Sequence, residues 1–253
     1  MSLLEIIALA AAAFAAGAIN AVAGGGSLVS FPALLAFGYA SKTANVTNTV
    51  ALWPGYASGS FGYRSELGRQ RHRVLVLVAP SVLGALAGSA ILLSTPQSAF
   101  DVIVPYLILF ACGLMAFQDR LSSWAVRHRL AAVAGDRLPV TLVAGVFVLA
   151  IYGAYFGAGL GIITLAVLSI LLPDDIQHSN ALKGMLSLII NAVAVVYFGV
   201  FGPVRWEPAA IMAIGAVLGG YLGVGVARRL GRRWLRIAVI AYGLLVAGFL
   251  LVH

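Results

Sequence analysis

The sequence predicts an all-α polytopic membrane protein, built as a single transmembrane domain over residues 1–253, and three observations predict it. First, 62% of the 253 residues are hydrophobic and only 9% are charged, whereas a soluble domain carries about 25% charged residues. Second, apolar runs recur along the whole chain, and many are close to the roughly 20 residues that a helix needs to cross a bilayer core. Third, no strand-type alternation accompanies them, which leaves helices as the spanning structure.

Polar breaks divide the chain into ten predicted helical segments. They run over residues 3–22, 26–40, 44–63, 74–94, 98–118, 138–157, 160–172, 180–200, 207–227 and 234–252. Residues 121–137, between the fifth and sixth segments, are predicted to form a basic cytoplasmic connecting loop.

The ten segments form two sets of five that align at one offset of about 135 residues. The aligned positions are Ala23 with Ala158, Gly24 with Gly159, Gly26 with Gly161, Asn45 with Asn180, Gly113 with Gly248, and VLGALAG (82–88) with VLGGYLG (217–223). A chance match between two apolar sequences is the alternative, but it does not account for a single offset. We therefore predict a first repeat over residues 1–120 and a second repeat over residues 138–253.

The loop charges predict that the two repeats are inverted. Residues 63–73 and 227–236 are basic, whereas the loops aligned with them, near 199–208 and 94–99, are neutral or mixed. An excess of Lys and Arg marks cytoplasmic loops, so equivalent loops are expected on opposite sides of the membrane. An odd number of segments per half requires the same. We predict two inverted-topology repeats in the cell inner (cytoplasmic) membrane, multi-pass, with both termini outside.

The second segment of each half is short and follows a glycine-rich break. Residues 26–40 and 160–172 are too short to cross a core of roughly 30 Å comfortably at about 1.5 Å per residue. The first two segments of each half therefore either span fully or form a re-entrant hairpin. The breaks themselves are AGGGS (23–27) and GAGLG (157–161).

A broken helix has a chemical consequence. The start of the new helix exposes unpaired N–H groups, which together with the helix dipole favour an anion, and glycine lets the backbone approach a ligand closely. Short, glycine-interrupted segments at matching positions of two repeats are typical of transport sites. Small residues also permit close helix packing, and packing is the better interpretation for GALAG (84–88) and GGYLG (219–223).

Polar residues beside the two breaks complete the candidate site. Asn20 precedes the first break, and Ser27 follows it as an expected cap of the second helix. The ordinary alternatives are helix caps or interhelical hydrogen bonds for the asparagines and a snorkelling interfacial side chain for Lys183. The candidate substrate-binding residues are Asn20, Gly24, Gly25, Gly26, Ser27, Asn45, Asn48, Gly157, Gly159, Gly161, Asn180 and Lys183.

Several functions lack sequence support. Nearly all of the eight acidic residues lie in or next to predicted loops, which disfavours a carboxylate proton relay or an acidic sodium site, although proton coupling through the substrate itself stays open. No phosphate-binding loop, His/Cys metal cluster or nucleophile elbow occurs, so we expect no enzyme activity, catalytic residue, cofactor or metal. The net charge of +8 lies in a few loops and indicates no nucleic-acid partner. Membrane lipid and a small anionic substrate are the expected partners, and nothing in the sequence supports an oligomer.

The residues around the breaks resemble the sulfite exporter TauE/SafE family of bacterial membrane proteins. INAVAGGGSLVSFPALLAFG (19–38) and ANVTNTVALWPGYASGSFGY (44–63) carry the resemblance in the first half. YGAYFGAGLGIITLAVL (152–168) and NALKGMLSLIINAVAVVYF (180–198) carry it in the second. The resemblance implies transport of small sulfur-containing anions such as sulfite and organosulfonates, mostly outward. It implies the same site residues, Lys183 apart. A related group of thiosulfate transporters relies on cysteines, a chemistry that the lone Cys112, away from the breaks, does not fit.

These observations together predict a secondary transporter that moves a small anion across the cytoplasmic membrane by alternating access. The helix breaks support an anion, whereas the resemblance alone supplies the sulfur-containing class, sulfite or a sulfonate, and export as the direction. The alternatives are an anion channel on the same scaffold, or a membrane accessory or assembly protein that transports nothing.

Overall fold

The part of the chain that the structure describes contains ten α-helices with given bounds and no β-strand. The structure, a computed structural model, describes residues 1–22, 24–61, 68, 70–127, 138–172, 176–230 and 232–252. The helices are α1 (Leu3–Val22), α2 (Ser27–Ala36), α3 (Ser41–Phe61), α4 (Arg71–Ser94), α5 (Gln97–Arg127), α6 (Val140–Tyr155), α7 (Leu160–Leu171), α8 (Ile176–Phe201), α9 (Trp206–Leu230) and α10 (Arg232–Val252).

Four of the described helices are long and apolar enough to cross a membrane, namely Leu3–Ala21, Arg71–Ser94, Gln97–Arg127 and His178–Phe201. The predicted all-α polytopic fold class is thereby confirmed. The predicted segments correspond one to one with the observed helices, although some ends differ.

The largest differences lie at α2, α5 and α8, and α8 begins at Ile176, four residues before the predicted start. Helix α2 ends at Ala36 rather than near residue 40, because Gly38 adopts a positive φ of 82° and turns the chain. Helix α5 continues to Arg127, nine residues beyond the predicted end, so residues 121–127 are helical and not loop. The charges beyond residue 118 predicted a loop, but a helix that has left the apolar core can carry charged side chains on its exposed faces.

Glycine faces bring the longest helix pairs close together. A Cβ atom at Gly84 or Gly88 of α4 would collide with the α6 backbone, and one at Gly219 of α9 would collide with the α1 backbone at Phe14. The packing interpretation of GALAG is confirmed at both of its glycines, and that of GGYLG at its first.

Helix contacts repeat between the two halves. Helix α1 packs along α9 and α6 along α4, while α3 also contacts α9 and α8 also contacts α4. Helices α2 and α7 contact α10 and α5, respectively. If α1–α5 correspond to α6–α10, every one of these contacts has its counterpart in the other half. The opposite orientation of the two halves in the membrane stays a prediction.

Polar contacts tie helix ends together at both ends of the bundle. At one end, the Lys42 ammonium donates hydrogen bonds to the carbonyls of Leu93 and Thr95 and so closes the C-terminus of α4. At the other end, Asp119 of α5 pairs with Arg236 of α10 at 2.7 Å. Helix α5 begins just after α4 ends, and Asp119 lies near its other end. The two contacts therefore lie at opposite ends of the bundle.

Apart from Lys183, the charged side chains that the structure describes divide unevenly between these two ends. The first, called the acidic end, carries Glu5, Lys42, Asp101, Arg205 and Glu207. The second, called the basic end, carries Arg71, Arg73, Asp119, Arg120, Arg127 and Arg236. This asymmetry is the one that the sequence-based topology requires.

Candidate functional site

At the first break the chain reverses direction between α1 and α2. Gly24 and Gly25 adopt positive φ angles of 76° and 98°, which favour glycine because L side chains clash there. Helix α2 has ten residues, about 15 Å at the usual rise. The chain that follows α2 lies at the acidic end, where the Tyr39 hydroxyl donates a hydrogen bond to Glu5 of α1 at 2.7 Å. The first two helices therefore form a hairpin whose two ends meet at the acidic end.

Asn20 supplies the polar contact that starts α2. Its Oδ1 accepts a hydrogen bond from the Gly26 N–H at 2.7 Å, and so satisfies one of the N–H groups that a helix start leaves unpaired. The expectation that Ser27 caps this helix is wrong, because Gly26 occupies the cap position and forms no side-chain cap bond. The Ser27 hydroxyl instead hydrogen-bonds the Tyr56 hydroxyl, which also contacts the Asn20 side chain.

Tyr56 is a residue of the candidate site that the sequence alone did not indicate. It lies in α3 and links the side chains on both sides of the first break through one hydroxyl group. It stands within the motif WPGYASG, but no spacing rule connects a tyrosine there with an asparagine 36 residues earlier.

The second break separates α6 from α7 in a similar manner. Gly157 and Gly159 adopt positive φ angles of 73° and 78°, and Gly159 precedes α7 without a side-chain cap. The Tyr152 hydroxyl donates to the Ala158 carbonyl and holds the break against α6. Gly161 lies in the first turn of α7 and not in the break itself.

The two breaks meet inside the bundle. A Cβ atom on Gly24 would lie 3.7 Å from the Cα of Gly161, and a Cβ atom on Gly161 would lie 3.8 Å from the Cα of Gly24. The Cβ atom on Gly161 would also lie 3.7 Å from the Cδ of Lys183. Helix α5 covers the first break, since a Cβ atom on Gly25 would lie 2.5 Å from the Cε of Met115. Residues from both halves of the chain therefore surround one point.

The predicted asparagines divide between structural bonds and unpaired groups. Asn45 donates through Nδ2 to the carbonyl of Tyr155, the last residue of α6, at 2.9 Å. Asn180 accepts a hydrogen bond from the Lys183 ammonium at 3.1 Å. Asn48 is 2% exposed, and its Oδ1 has no hydrogen-bond partner. Asn45 thus joins the first half to the second break, while Asn180 holds Lys183 in place.

The electrostatics of this region favour negative charge. Lys183 and the starts of two short helices lie beside the contact between the breaks. The carboxylates whose side chains the structure describes lie instead at the acidic and basic ends. Within the described ranges, no group of three or more His, Cys, Asp or Glu side chains could hold a metal ion.

Short apolar helices that break at glycines and return within a helical bundle define a polytopic α-helical membrane protein of the transporter class. The chain belongs to the sulfite exporter TauE/SafE family, whose model matches residues 9–250. That membership indicates a membrane transporter rather than an enzyme.

Curated relatives align along most of the chain. A "Probable membrane transporter protein" of Haemophilus influenzae is 28% identical over 232 residues, which cover 90% of this chain and 87% of the relative. "Probable membrane transporter protein ORF9" of a Sinorhizobium species is 25% identical, with 93% of this chain and 88% of the relative covered. "Probable membrane transporter protein YfcA" of Escherichia coli is 23% identical, with 94% and 87% covered. No solved structure matches the chain.

Proposed function

We propose that this chain is a secondary transporter that exports a small anion across the cytoplasmic membrane, with sulfite or a sulfonate as the substrate class. The observation that carries the proposal is the contact between the two glycine breaks beside Lys183. Helix starts and a fixed positive charge are together suited to hold an oxyanion, and the family description names sulfite.

The two short-helix hairpins supply a physical basis for alternating access. Each hairpin contains a break that contacts the other half, and α3 and α8 pack against each other between them. If the halves are inverted repeats, exchanging their two arrangements opens the site first to one side and then to the other. Coupling through the substrate's own proton needs no carboxylate beside the breaks and stays open.

The charge distribution supports an orientation with the basic end in the cytoplasm and both termini outside. Single cysteines placed at the exposed positions Gln97 and Arg127, in a Cys112→Ser background, test this topology. A membrane-impermeant maleimide added to intact cells is expected to label the cysteine at 97 and not the one at 127. The reverse pattern would contradict the orientation.

Reconstituted transport tests the function and the site together. Purified protein in liposomes is expected to move sulfite or a sulfonate with saturable kinetics, and Lys183→Gln is expected to abolish this flux. Lys42→Gln is the matched control, because Lys42 is the only other lysine in the chain and bonds helix carbonyls at the acidic end. Flux linear in substrate and insensitive to a proton gradient would indicate a channel, and no flux of any anion would reject transport.

Thermal stability across an anion panel tests binding separately. A ligand that binds only the folded protein stabilises it by RT ln(1 + [L]/Kd). Sulfite, sulfate, thiosulfate, taurine, sulfoacetate, chloride and acetate form a suitable panel. We expect a shift with sulfite or a sulfonate that disappears in Asn180→Ala. A shift that persists in that variant and in Lys183→Gln would place the anion elsewhere.

A further inference from the structure

A cavity lies on α5 at the basic end, and its lining begins one helical turn beyond Met115, which covers the first break. Its volume is 390 Å³, and its described lining consists of Asp119, Arg120, Ser123, Trp124 and Arg127. Four of these residues follow the spacing i, i+3, i+4, i+7, which places them on one face of the helix. The cavity therefore presents two arginines and an indole along a single strip, while the Ser123 hydroxyl donates to the Asp119 carbonyl at 2.7 Å.

The sequence of α5 sets the depth of this strip in the membrane. Between Asp101 and Asp119 lie 17 residues without charge, about 26 Å of helix at the usual rise, close to the roughly 30 Å of a bilayer core. Phe117 then lies at the edge of the core, and the strip from Arg120 to Arg127 rises through the layer of lipid headgroups. Trp and Arg are typical of that layer.

The charges that line the cavity favour the binding of an anion. The Asp119 carboxylate is paired with Arg236 at 2.7 Å. Because its negative charge is shared with Arg236, it does not neutralise the positive charge of the two cavity arginines. The Arg120 guanidinium lies 5.7 Å from the centre of the Phe117 ring. Guanidinium groups bind phosphate oxygens in a bidentate manner, and basic pockets at the ends of membrane helices hold lipid headgroups.

We propose that this cavity is a binding site for the phosphodiester of an anionic phospholipid. The phosphate is held by Arg120 and Arg127, while the acyl chains descend along the apolar surface of α5. A lipid is favoured over a free phosphate because Phe117 and Trp124 are 56% and 49% exposed beside the cavity. These rings would contact acyl chains and the glycerol region, but they would contribute nothing to a soluble ion.

Lipid retention by the full-length protein tests the proposal. Protein equilibrated in micelles with phosphatidylglycerol or phosphatidylcholine is analysed by native mass spectrometry. We expect selective retention of phosphatidylglycerol, weakened about 30-fold in the double variant Arg120→Gln, Arg127→Gln, because each arginine near an anionic lipid surface contributes a factor of about five. The matched control is Arg71→Gln, Arg73→Gln, which removes the same charge at the same end outside the cavity lining. That control is expected to retain the lipid.

Two further measurements keep the proposal open to refutation. Phosphatidylglycerol with brominated acyl chains is expected to quench part of the tryptophan emission, and Trp124→Phe is expected to remove that part. Inorganic phosphate is expected to leave lipid retention unchanged. Equal retention in the two double variants, equal retention of phosphatidylcholine, or displacement of the lipid by inorganic phosphate would each overturn the proposal.

Discussion

Replacing Gly26 by alanine tests whether α1 and α2 must touch at the first break. Gly26 has a φ of −58°, so alanine meets no conformational strain. Its Cβ atom, however, would lie 2.7 Å from the carbonyl carbon of Ala16 and 2.9 Å from its Cα. The carbonyl oxygen of Ala16 would lie closer still, and ordinary contact begins at 3.4 Å, so the two helices must separate by at least about 0.7 Å.

The energetic cost follows from this displacement. The atoms that the new methyl group meets belong to backbone and cannot rotate away, and overpacking of this kind costs about 1–3 kcal/mol. The same movement stretches the hydrogen bond from Gly26 to Asn20, now 2.7 Å, towards a length at which it no longer contributes its roughly 1 kcal/mol. We expect Gly26→Ala to lose about 2–4 kcal/mol of unfolding free energy and to lose transport.

The assay compares this variant with Gly113→Ala. Gly113 lies within α5, and a Cβ atom there would meet nothing within 4 Å. Alanine at that position is expected to leave transport intact and to stabilise the helix by up to about 1 kcal/mol. Unfolding in mixed micelles and flux in liposomes are measured for both variants. If Gly26→Ala is as stable and as active as Gly113→Ala, the close approach of the two helices is refuted.

Three further changes probe other contacts. Asn45→Ala leaves the buried end of α6 without the bond to the Tyr155 carbonyl and is expected to cost about 1–3 kcal/mol in the same unfolding assay; an unchanged stability would show that the bond is dispensable. Burial, and then the hydrogen bond to Glu5, raise the pKa of Tyr39 to about 12. Folding therefore favours the protonated phenol, and this stabilisation is complete below pH 10 and is lost as the pH rises towards 12. We expect Tyr39→Phe to show a smaller loss of stability over that interval, and equal losses in both proteins would contradict the assignment. Gly25→Ala forces a side chain into a φ of 98° at a cost of about 1–2 kcal/mol. A second substitution, Met115→Ala, removes the side chain that a Cβ atom on residue 25 would meet, and we expect it not to restore the stability of Gly25→Ala. Full rescue would indicate a steric rather than a conformational cost.

Most of the architecture could be predicted because its causes are local. Apolar runs set the number and order of the helices, and closely spaced glycines marked both positions where they break. The end of α5 was predicted too early because a run of charges indicates equally a loop and a helix that has left the lipid. Ser41 and Asp101, which hydrogen-bond across the acidic end, show the same limit, since nothing in their own segments announces the pairing.

What the sequence by itself determined is the membrane class, the ten helices, the two glycine breaks and the charge difference between the two ends, since composition and short-range spacing decide all of these. Only the tertiary structure decided which polar atoms meet. It assigned the start of α2 to Asn20 rather than to Ser27, added Tyr56, and placed Lys183 beside the point where Gly24 contacts Gly161. Hydrogen bonds and close backbone approaches depend on distances of a few ångströms between helices far apart in the chain, and only the packing of those helices sets such distances.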